Sequence, residues 1–511
     1  MTPPPPANPP ASNLATAMFA AAAIAGDKPF LIETGRPPLA YAALDRETGR
    51  IAARLAALGA RAGDRLLVQV DKSRESVLLY IAALRAGMVF VPLNTAYTTA
   101  ELAYFIADAQ PAIVVCRPDD QAALLPIAGH AQLVTLGHAG AGTLLANLPD
   151  LVLALVPRSG SDLAAILYTS GTTGRSKGAM LTHGNLASNA LTLHALWGWR
   201  SDDVLIHILP TYHVHGLFVA LHGALLAGAS VLFHTGFDPA TVIAQFAQAT
   251  VLMGVPTHYS RLSADPGLTP AACATMRLFV SGSAPLLAEA HQAFRARSGH
   301  AILERYGMTE TGMITSNPYD RGAEGRIAGT VGYPLPGVAV RICTADGASV
   351  PAGEPGVLEV RGPNVFAGYW RNLEKTAQEF RADGYFITGD IATAAPDGRI
   401  TLVGRAKDLI IAGGLNIYPK EIEDAIDQIP GVVESAVIGV PHRDLGEAVV
   451  AVVVLAPGAK FGEAEVLRAI AGQLARFKQP RRVILAKALP RNAMGKVQKA
   501  ALRADHAGLF G

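Results

Sequence analysis

From Asp64 onward, short apolar runs alternate with amphipathic stretches of about ten residues, and this alternation restricts the fold more than any other feature of the sequence. An apolar run at 66–70 is followed by a helical pattern at 75–85, then by a second run at 89–92 and a second helical pattern at 99–109. Strands separated by such helices form βαβ units with a mostly parallel sheet. The sequence therefore predicts a large α/β body.

The pattern changes twice toward the C-terminus. Near Gly329, short β-like runs divided by Pro-Gly and Asp-Gly turns begin, and they continue to Arg405. Beyond that point, helical and strand patterns mix again, as in a small α+β domain. We predict a disordered Pro-rich tail (1–12), an N-terminal domain (13–406) whose part at about 329–405 is a β-rich subdomain, and a C-terminal domain (407–511).

Composition excludes several classes of protein. With 50% hydrophobic and 16% charged residues, the chain is not intrinsically disordered. A net charge of +2 gives no general attraction to nucleic acid or an anionic membrane. The apolar runs fall short of the roughly 20 residues of a membrane-spanning helix, and the N-terminus lacks the basic segment of a signal peptide. Three cysteines without a CxxC pair predict no disulfide framework and favour a cytoplasmic location.

The strongest local motif is YTSGTTGRSKG at 168–178, directly after an apolar strand pattern. Its glycines allow a close approach to an anion, its threonines and serines supply hydroxyls, and Arg175 and Lys177 add positive charge. This combination is typical of a polyphosphate-binding turn. A flexible surface loop is the alternative, but the two cations and the preceding strand favour phosphate binding.

Other nucleotide-binding and hydrolase motifs are absent from the sequence. The pair Gly495-Lys496 does not complete a Walker A loop, because Pro490 stands at the first glycine position and Val497 at the Ser/Thr position. There is also no GxGxxG, GxSxG or HExxH pattern. These absences argue against P-loop kinases, dehydrogenases, serine hydrolases and zincins.

Six motifs in order resemble those of the adenylate-forming superfamily, which includes acyl-CoA synthetases, peptide-synthetase adenylation domains and beetle luciferases. They are YTSGTTGRSKG, ERYGMTE at 304–310, TGD at 388–390, GRAKD at 404–408, GGLNIYPKEIE at 413–423 and PRNAMGK at 490–496. The resemblance extends over essentially the whole chain after the tail. Ser176 stands where the family usually has proline, and this change leaves the glycines and cations intact.

The resemblance implies a set of residues that bind the nucleotide and Mg²⁺. Those for the nucleotide are Thr169, Ser170, Gly171, Thr172, Thr173, Gly174, Lys177, Asp390, Arg405 and Lys407. Glu310 and Thr169 would bind Mg²⁺, Thr309 the α-phosphate, and Asp390 with Arg405 the ribose. Hard Mg²⁺ prefers carboxylate and phosphate oxygens, which agrees with this assignment. A solvated loop acid remains the alternative for Glu310, and a structural turn residue the alternative for Asp390.

Lys496 has a special place in the resemblance. From its position alone it would be a solvated lysine, but similar enzymes use this lysine to stabilise charge when a carboxylate attacks the α-phosphorus. The C-terminal domain would then close for adenylation and move for thiolation, with Lys407 at the hinge or, alternatively, as a plain linker residue. A lysine acetyltransferase and deacetylase that act on Lys496 are implied as partners. The resemblance makes Lys496, Thr309, Glu310 and His213 the catalytic residues.

The acid-binding residues expected from the motifs are His213 at the aromatic gate, Thr257, Arg261, Ser281, Gly282, Ser283 and Met308. Thr257 and Arg261 are four residues apart and share one face of a predicted helix. If that face lines the acid pocket, the best partner for the arginine is a second carboxylate on the substrate. The alternative is a surface arginine.

The amino-acid sequences of these segments most resemble those of the malonyl-CoA synthetases, in which the arginine of VPTxxxR holds the distal carboxylate of malonate. The expected reaction is malonate, ATP and coenzyme A to malonyl-CoA, AMP and diphosphate through a malonyl-adenylate, with methylmalonate accepted by close relatives. The alternatives are an acyl-CoA synthetase for another short-chain or aromatic acid, an enzyme that loads a carrier protein, and an inactive nucleotide-binding module. The intact Lys496, Glu310 and phosphate loop argue against the last.

Overall fold

A computed structural model describes residues 13–169, 176–412, 415–443, 445–459, 461–474, 476–492 and 495–510, without the side chains of residues 323 and 416. The predicted disordered tail at 1–12 lies outside the described residues.

The strands of the first three hundred residues follow the predicted apolar runs closely. They are β1 (Pro29–Ile32), β2 (Leu39–Ala40), β3 (Arg65–Gln69), β4 (Val89–Pro92), β5 (Ile113–Cys116), β6 (Gln132–Thr135), β7 (Leu163–Thr169), β8 (Lys177–Thr182), β9 (Val204–His207), β10 (Ser230–Phe233), β11 (Val251–Gly254), β12 (Leu278–Ser281), β13 (Leu303–Met308), β14 (Gly312–Ser316) and β15 (Tyr333–Pro334).

The later strands are β16 (Ala339–Cys343), β17 (Gly356–Arg361), β18 (Phe386–Ala394), β19 (Ile400–Arg405), β20 (Ile410–Ala412), β21 (Leu415–Ile417), β22 (Val432–His442), β23 (Gly446–Leu455) and β24 (Arg482–Ala486).

The helices lie between the strands as the amphipathic stretches predict. They are α1 (Leu14–Ala25), α2 (Ala43–Ala57), α3 (Arg74–Arg85), α4 (Thr99–Ala109), α5 (Gln121–Leu124), α6 (His183–Leu196), α7 (His222–Ala227), α8 (Pro239–Ala244), α9 (Pro256–Ala264), α10 (Ala288–Ser298), α11 (Gly322–Gly325), α12 (Leu373–Glu379), α13 (Pro419–Asp427), α14 (Glu463–Ile470) and α15 (Lys499–Asp505). Within the described residues, no helix is long and apolar enough to span a lipid bilayer.

Two mixed sheets form the body of the molecule. In the described part of the chain, six strands lie in the order β6-β5-β3-β4-β7-β8 and nine in the order β15-β14-β13-β12-β11-β9-β10-β1-β2. Central pairs such as β3–β4 and β11–β12 are parallel, and antiparallel strands occur at the edges. The parallel strands are apolar and buried on both faces, because helices cover both sides of such a sheet.

A separate antiparallel sheet lies within the region expected to be β-rich. Strands β16, β17, β18 and β19 pair in chain order. Its last pair matters for function, because Asp390 on β18 lies directly opposite Arg405 on β19.

The residues after the β19 strand form a smaller α+β unit. Strands β20 to β24 form one sheet in which β22 and β23 are long and antiparallel and β24 joins β23 in parallel. The helix α13 buries Ile422 and Ile426 in the same apolar cluster as Val437 of β22. The chain is thus an α/β protein with a large N-terminal domain and a smaller C-terminal domain.

Candidate active site

The candidate site lies where parallel strands of the large sheets end, which is the usual ligand position in open α/β sheets. Strand β7 ends at Thr169, β12 at Ser281 and β13 at Met308, and all three are among the predicted site residues.

The phosphate loop connects two antiparallel strands. Thr169 at the end of β7 pairs with Lys177 at the start of β8, so the loop between them is held at both ends by the sheet. Lys177 lies over the ring of Tyr369 at 5.1 Å, and its Nζ is 3.8 Å from Oε1 of Glu379. The predicted loop residues Ser170, Gly171, Thr172, Thr173 and Gly174 lie outside the described residues.

Glu310 is a buried carboxylate in the turn between β13 and β14. The Thr169 hydroxyl lies 3.4 Å from its Oε1, and the Tyr369 hydroxyl lies 3.1 Å from the same oxygen. Burial raises the pKa of Glu310, and the nearby charge of Glu379 acts in the same direction. A cation at this carboxylate would offset that cost.

These donors fit Mg²⁺. In the part of the chain that the structure describes, no group of three or more His, Cys, Asp or Glu residues could hold a metal ion. Mg²⁺ does not need such a cage, because one or two carboxylates and substrate phosphates with water complete its octahedron. Glu310 and the Thr169 hydroxyl are the side chains that would hold it.

Asp390 is fixed by two neighbours. Arg405 Nε lies 2.7 Å from its Oδ1, and the Tyr306 hydroxyl donates to its Oδ2 at 2.5 Å. Burial raises the pKa of Asp390, and the positive charge of Arg405 opposes this shift. The carboxylate is therefore oriented and able to accept further hydrogen bonds from hydroxyl groups of a ligand.

Lys496 reaches this site from the smaller domain. It belongs to a tight hairpin in which Arg491 pairs with Val497, the Lys496 amide donates to Asn492 Oδ1 at 3.0 Å, and Gly495 has φ +74°. Burial lowers the pKa of Lys496; Arg405 also lowers it, whereas the charges of Asp390 and Glu310 raise it.

His213 faces the same lysine. Burial lowers the pKa of His213 to about 4, and the Lys496 charge contributes to this shift, so the imidazole is neutral at pH 7. Its Nε2 is buried without a hydrogen-bond partner among the described residues.

Lys407 lies in a short 3₁₀ turn, Ala406–Asp408, between the two domains. The carboxylate of Asp408 binds both terminal nitrogens of Arg503 at 2.9 Å, which joins the turn to α15. Burial lowers the pKa of Lys407, and the negative charge of Asp390 partly opposes this shift.

The predicted acid pocket is polar at the end of β12. Ser281 is buried and its hydroxyl has no partner in the described residues. His215 Nδ1 lies 3.2 Å from the Ser283 hydroxyl, and Ser283 has φ +70°, a strained value for a residue with a side chain. Met308 is partly buried against the large core.

Thr257 and Arg261 lie on α9 as predicted, but both side chains are exposed. The Arg261 guanidinium lies 4.9 Å from the ring centroid of Phe237. Arg261 is thus a solvated cation stacked on an aromatic ring, and its proposed contact with a second substrate carboxylate stays a prediction.

Arg305, in contrast to Arg261, is a buried cation. It is 4% exposed, and its Nε and Nη2 have no hydrogen-bond partner among the described residues. Its guanidinium lies against Gly282, where a Cβ would approach Cζ to 2.3 Å. Burial lowers its pKa to about 9, so it keeps its charge at pH 7.

Sequence reasoning missed Arg305, Tyr306, Tyr369 and Glu379 as functional candidates. Arg305 and Tyr306 lie inside the ERYGMTE motif, and the charged pair Glu304-Arg305 directly after the apolar run at 301–303 was the available signal. Tyr369 and Glu379 lie outside the six motifs. Only the structure identifies them, through the contact of Tyr369 with Glu310 and that of Glu379 with Lys177.

A buried lysine and an oriented carboxylate beside the predicted phosphate loop agree with an AMP-forming acid–thiol ligase. The chain belongs to the AMP-binding enzyme family, whose family model matches residues 18–370, and the model of the AMP-binding enzyme C-terminal domain matches 421–496.

Known proteins resemble the chain over most of its length. The structure of ATP-bound MatB from Rhodopseudomonas palustris is 52% identical, covers 97% of this chain and 99% of that one, and has a TM-score of 0.93. The mitochondrial malonate–CoA ligase ACSF3 of Mus musculus is 38% identical over 461 residues, which are 82% of this chain and 77% of the mouse protein. A feruloyl-CoA synthase of Amycolatopsis is 36% identical over 477 residues, 92% of this chain and 95% of the relative.

Proposed function

We propose that the protein joins malonate to coenzyme A, forming malonyl-CoA, AMP and diphosphate from malonate, ATP and coenzyme A. Methylmalonate, which adds one methyl group, is a second substrate in this proposal. The likeness to MatB and to a malonate–CoA ligase supports the choice of acid.

The observation that carries the proposal is the buried guanidinium of Arg305, whose Nε and Nη2 have no hydrogen-bond partner among the described residues. A buried charge without a partner is costly, and the cost is removed when an anion binds to it. Arg305 lies against Gly282, a residue of the predicted acid pocket, and Lys496 is close enough for the two charges to interact. A short diacid could therefore present one carboxylate to Lys496 and the other to Arg305, with Thr257 and Arg261 on the open side of the pocket.

In the first step, a carboxylate oxygen of malonate attacks the α-phosphorus of ATP, and the bond to diphosphate breaks. Asp390 and Arg405 hold the ribose, and Thr309, Lys177 and the phosphate loop hold the phosphates. Lys496 stabilises the negative charge that develops at the α-phosphate. Glu310 and the Thr169 hydroxyl would hold Mg²⁺, which would supply positive charge against the phosphate oxygens.

In the second step, the thiol of coenzyme A displaces AMP from the adenylate. We propose domains at 13–406 and 407–511, with rotation at Lys407 withdrawing Lys496 and making room for the thiol. The neutral imidazole of His213 would act as a gate between the acid pocket and the thiol path.

We also propose a cytoplasmic enzyme that is regulated at Lys496. Three buried free cysteines suit a reducing compartment. Acetylation by a lysine acetyltransferase would remove the charge of Lys496 and stop adenylation until a deacetylase restores it. The test is mass spectrometry of the native protein. If acetylated Lys496 is never detected, this regulation is contradicted.

Diphosphate release with malonate, methylmalonate, acetate and ferulate, each with and without coenzyme A, tests the function. Acetate lacks a carboxylate for Arg305, so kcat/KM should favour malonate over acetate by about 10²–10³-fold. Thioester formation should require coenzyme A, whereas ATP–diphosphate exchange should not. Equal use of acetate and malonate, or a preference for ferulate, would refute the malonate assignment while leaving the ligase class intact.

A further inference from the structure

A cavity of about 380 Å³ lies beside the end of the phosphate loop. Its lining includes Lys177, Arg371, Lys375, Trp370 and Asp108. We call it the exit cavity. The site described above assigns only Lys177 among these residues.

The wall of the exit cavity is built on strand β8. The Trp370 amide donates to the Gly178 carbonyl at 2.7 Å, and Tyr369 forms a bridge with Ala179. This backbone pairing fixes the segment that carries Arg371 next to the residue that follows Lys177.

Positive charge dominates the lining. Three cations, Lys177, Arg371 and Lys375, face one lining carboxylate, Asp108, whose Oδ2 accepts a hydrogen bond from Tyr168 at 2.6 Å. Glu379 lies next to the cavity, and its Oε1 is shared between Lys375 at 2.8 Å and Lys177 at 3.8 Å. Such an excess of cations suits a polyanion.

Arg371 is held in an unfavourable conformation. Its φ is +53°, in the left-handed region, which a residue with a side chain rarely adopts. Asn372 follows immediately and caps α12 by accepting from the Lys375 amide at 3.1 Å. The turn thus places Arg371 and Lys375 on the same cavity, and local strain of this kind is concentrated at functional sites.

The exit cavity connects to the adenylation site through Lys177. That ammonium lies over Tyr369, and the hydroxyl of Tyr369 contacts Glu310. A polyphosphate released beside Glu310 is therefore close to Lys177, which lines the same cavity as Lys375 and Arg371.

We propose that the exit cavity binds inorganic diphosphate as it leaves the enzyme after adenylate formation. The proposal depends on the AMP-forming step and is independent of which acid is the substrate. Arg371 and Lys375 contact the departing product, so they contribute to diphosphate affinity and little to ATP affinity.

The test compares Arg371→Gln and Lys375→Gln with the wild-type enzyme. Gln378→Ala, which changes a neutral lining residue, and Arg200→Gln, which removes an exposed cation outside the lining, are matched controls. The readouts are the inhibition constant of inorganic diphosphate, the KM of diphosphate in ATP–diphosphate exchange, and the KM of ATP. Circular dichroism confirms folding of each variant.

Each cation variant should raise the inhibition constant and the exchange KM of diphosphate by about three- to tenfold, because one charge-assisted contact with a partly solvated phosphate is lost. The KM of ATP and both controls should change less than about twofold. Unchanged diphosphate constants would overturn the proposal. An equal rise in the KM of ATP would also overturn it, since the residues would then belong to the ATP site.

Discussion

Arg305 is the residue at which stability and the proposed substrate recognition oppose each other. A buried guanidinium without a partner costs folding free energy, and replacing such a charge by an apolar residue is often neutral or stabilising. Arg305→Leu should therefore keep or raise the thermal unfolding midpoint of the unliganded enzyme and lower kcat/KM for malonate by about 10²–10³-fold. Calorimetry and kinetics on the same preparation measure both effects.

Acetate use by Arg305→Leu should change little, and the malonate-to-acetate ratio should collapse. A purely structural arginine would give the opposite result, with a lower unfolding midpoint and a parallel loss for both acids. That outcome would remove the physical basis of the dicarboxylate proposal.

Gly282 offers a second test of the same contact without touching the charge. A Cβ at this position would lie 2.3 Å from Arg305 Cζ, so Gly282→Ala must displace the guanidinium. We expect malonate kcat/KM to fall by about tenfold or more while the KM of ATP stays within twofold. Gly236→Ala is the control, because a Cβ there meets nothing within 4 Å. Equal kinetics for the two alanine variants would place Arg305 outside the pocket.

Arg261 shows why spacing alone did not identify the buried cation. Its separation from Thr257 correctly predicted a shared helix face, but the packing of the sheet ends decides burial, and this face is open to solvent. Arg261→Leu should lower malonate kcat/KM by only about tenfold. An ion pair between a solvated arginine and a substrate carboxylate contributes little binding free energy, so its removal costs little. A loss as large as that of Arg305→Leu, measured side by side, would return the main role to Arg261.

At the scale of single elements, the sequence predicted the types of helices and strands but missed details that packing decides. The pattern at 215–226 predicts a helix, and the chain forms a π-helix at His215–Leu221 followed by α7. The Gly216 carbonyl is hydrogen-bonded to His207 Nε2 at 2.9 Å, so the side chain at the end of β9 contacts the first turn of this helix, which no periodicity shows. The pattern at 464–476 also predicts a helix, but α14 ends at Ile470, and Leu474 beyond it is buried in the same apolar cluster.

The helix α13 carries a titrating group with a predictable effect on stability. Burial raises the pKa of Asp427, its last residue, to about 7, and Glu423 and Asp424 act in the same direction. An unfolded aspartate titrates near pH 4, so between about pH 4 and 7 the folded state binds more protons. Asp427 therefore lowers stability progressively as the pH rises through this window, and the penalty is complete above it.

Asp427→Asn should raise the thermal unfolding midpoint at pH 8 by several degrees, corresponding to about 1–3 kcal/mol, and have a clearly smaller effect at pH 5. Asp505→Asn is the control, because Asp505 is the last residue of α15 but is exposed. Its effect should not depend on pH in this way. A gain for Asp427→Asn that is the same at both pH values would show that burial of the charge is not its cause.

At the scale of the whole molecule, ordered motifs predicted the fold class, and apolar alternation predicted the sheets. Neither could predict that a lysine near the C-terminus lies among Asp390, Glu310 and Arg405, because this meeting depends on how two domains pack. The resemblance supplied that expectation for Lys496. The resemblance gave no such expectation for Arg371 or Lys375. These residues line one cavity with Lys177 because Ala179 of β8 pairs with Tyr369, which is distant in the sequence.

In the proposed mechanism Lys496 acts from the C-terminal domain on a site in the N-terminal domain, so its loss should separate the two half-reactions. Lys496→Ala should reduce malonate-dependent diphosphate release by about 10²–10³-fold or more, as for other preorganised charge donors. Thioester formation from supplied malonyl-adenylate should remain within about threefold, since Lys496 has no part in thiol attack. Because burial lowers the pKa of Lys496, wild-type adenylation should also decline at a lower pH than a solvated lysine would allow. Diphosphate release that survives within about threefold in Lys496→Ala would disprove the catalytic role.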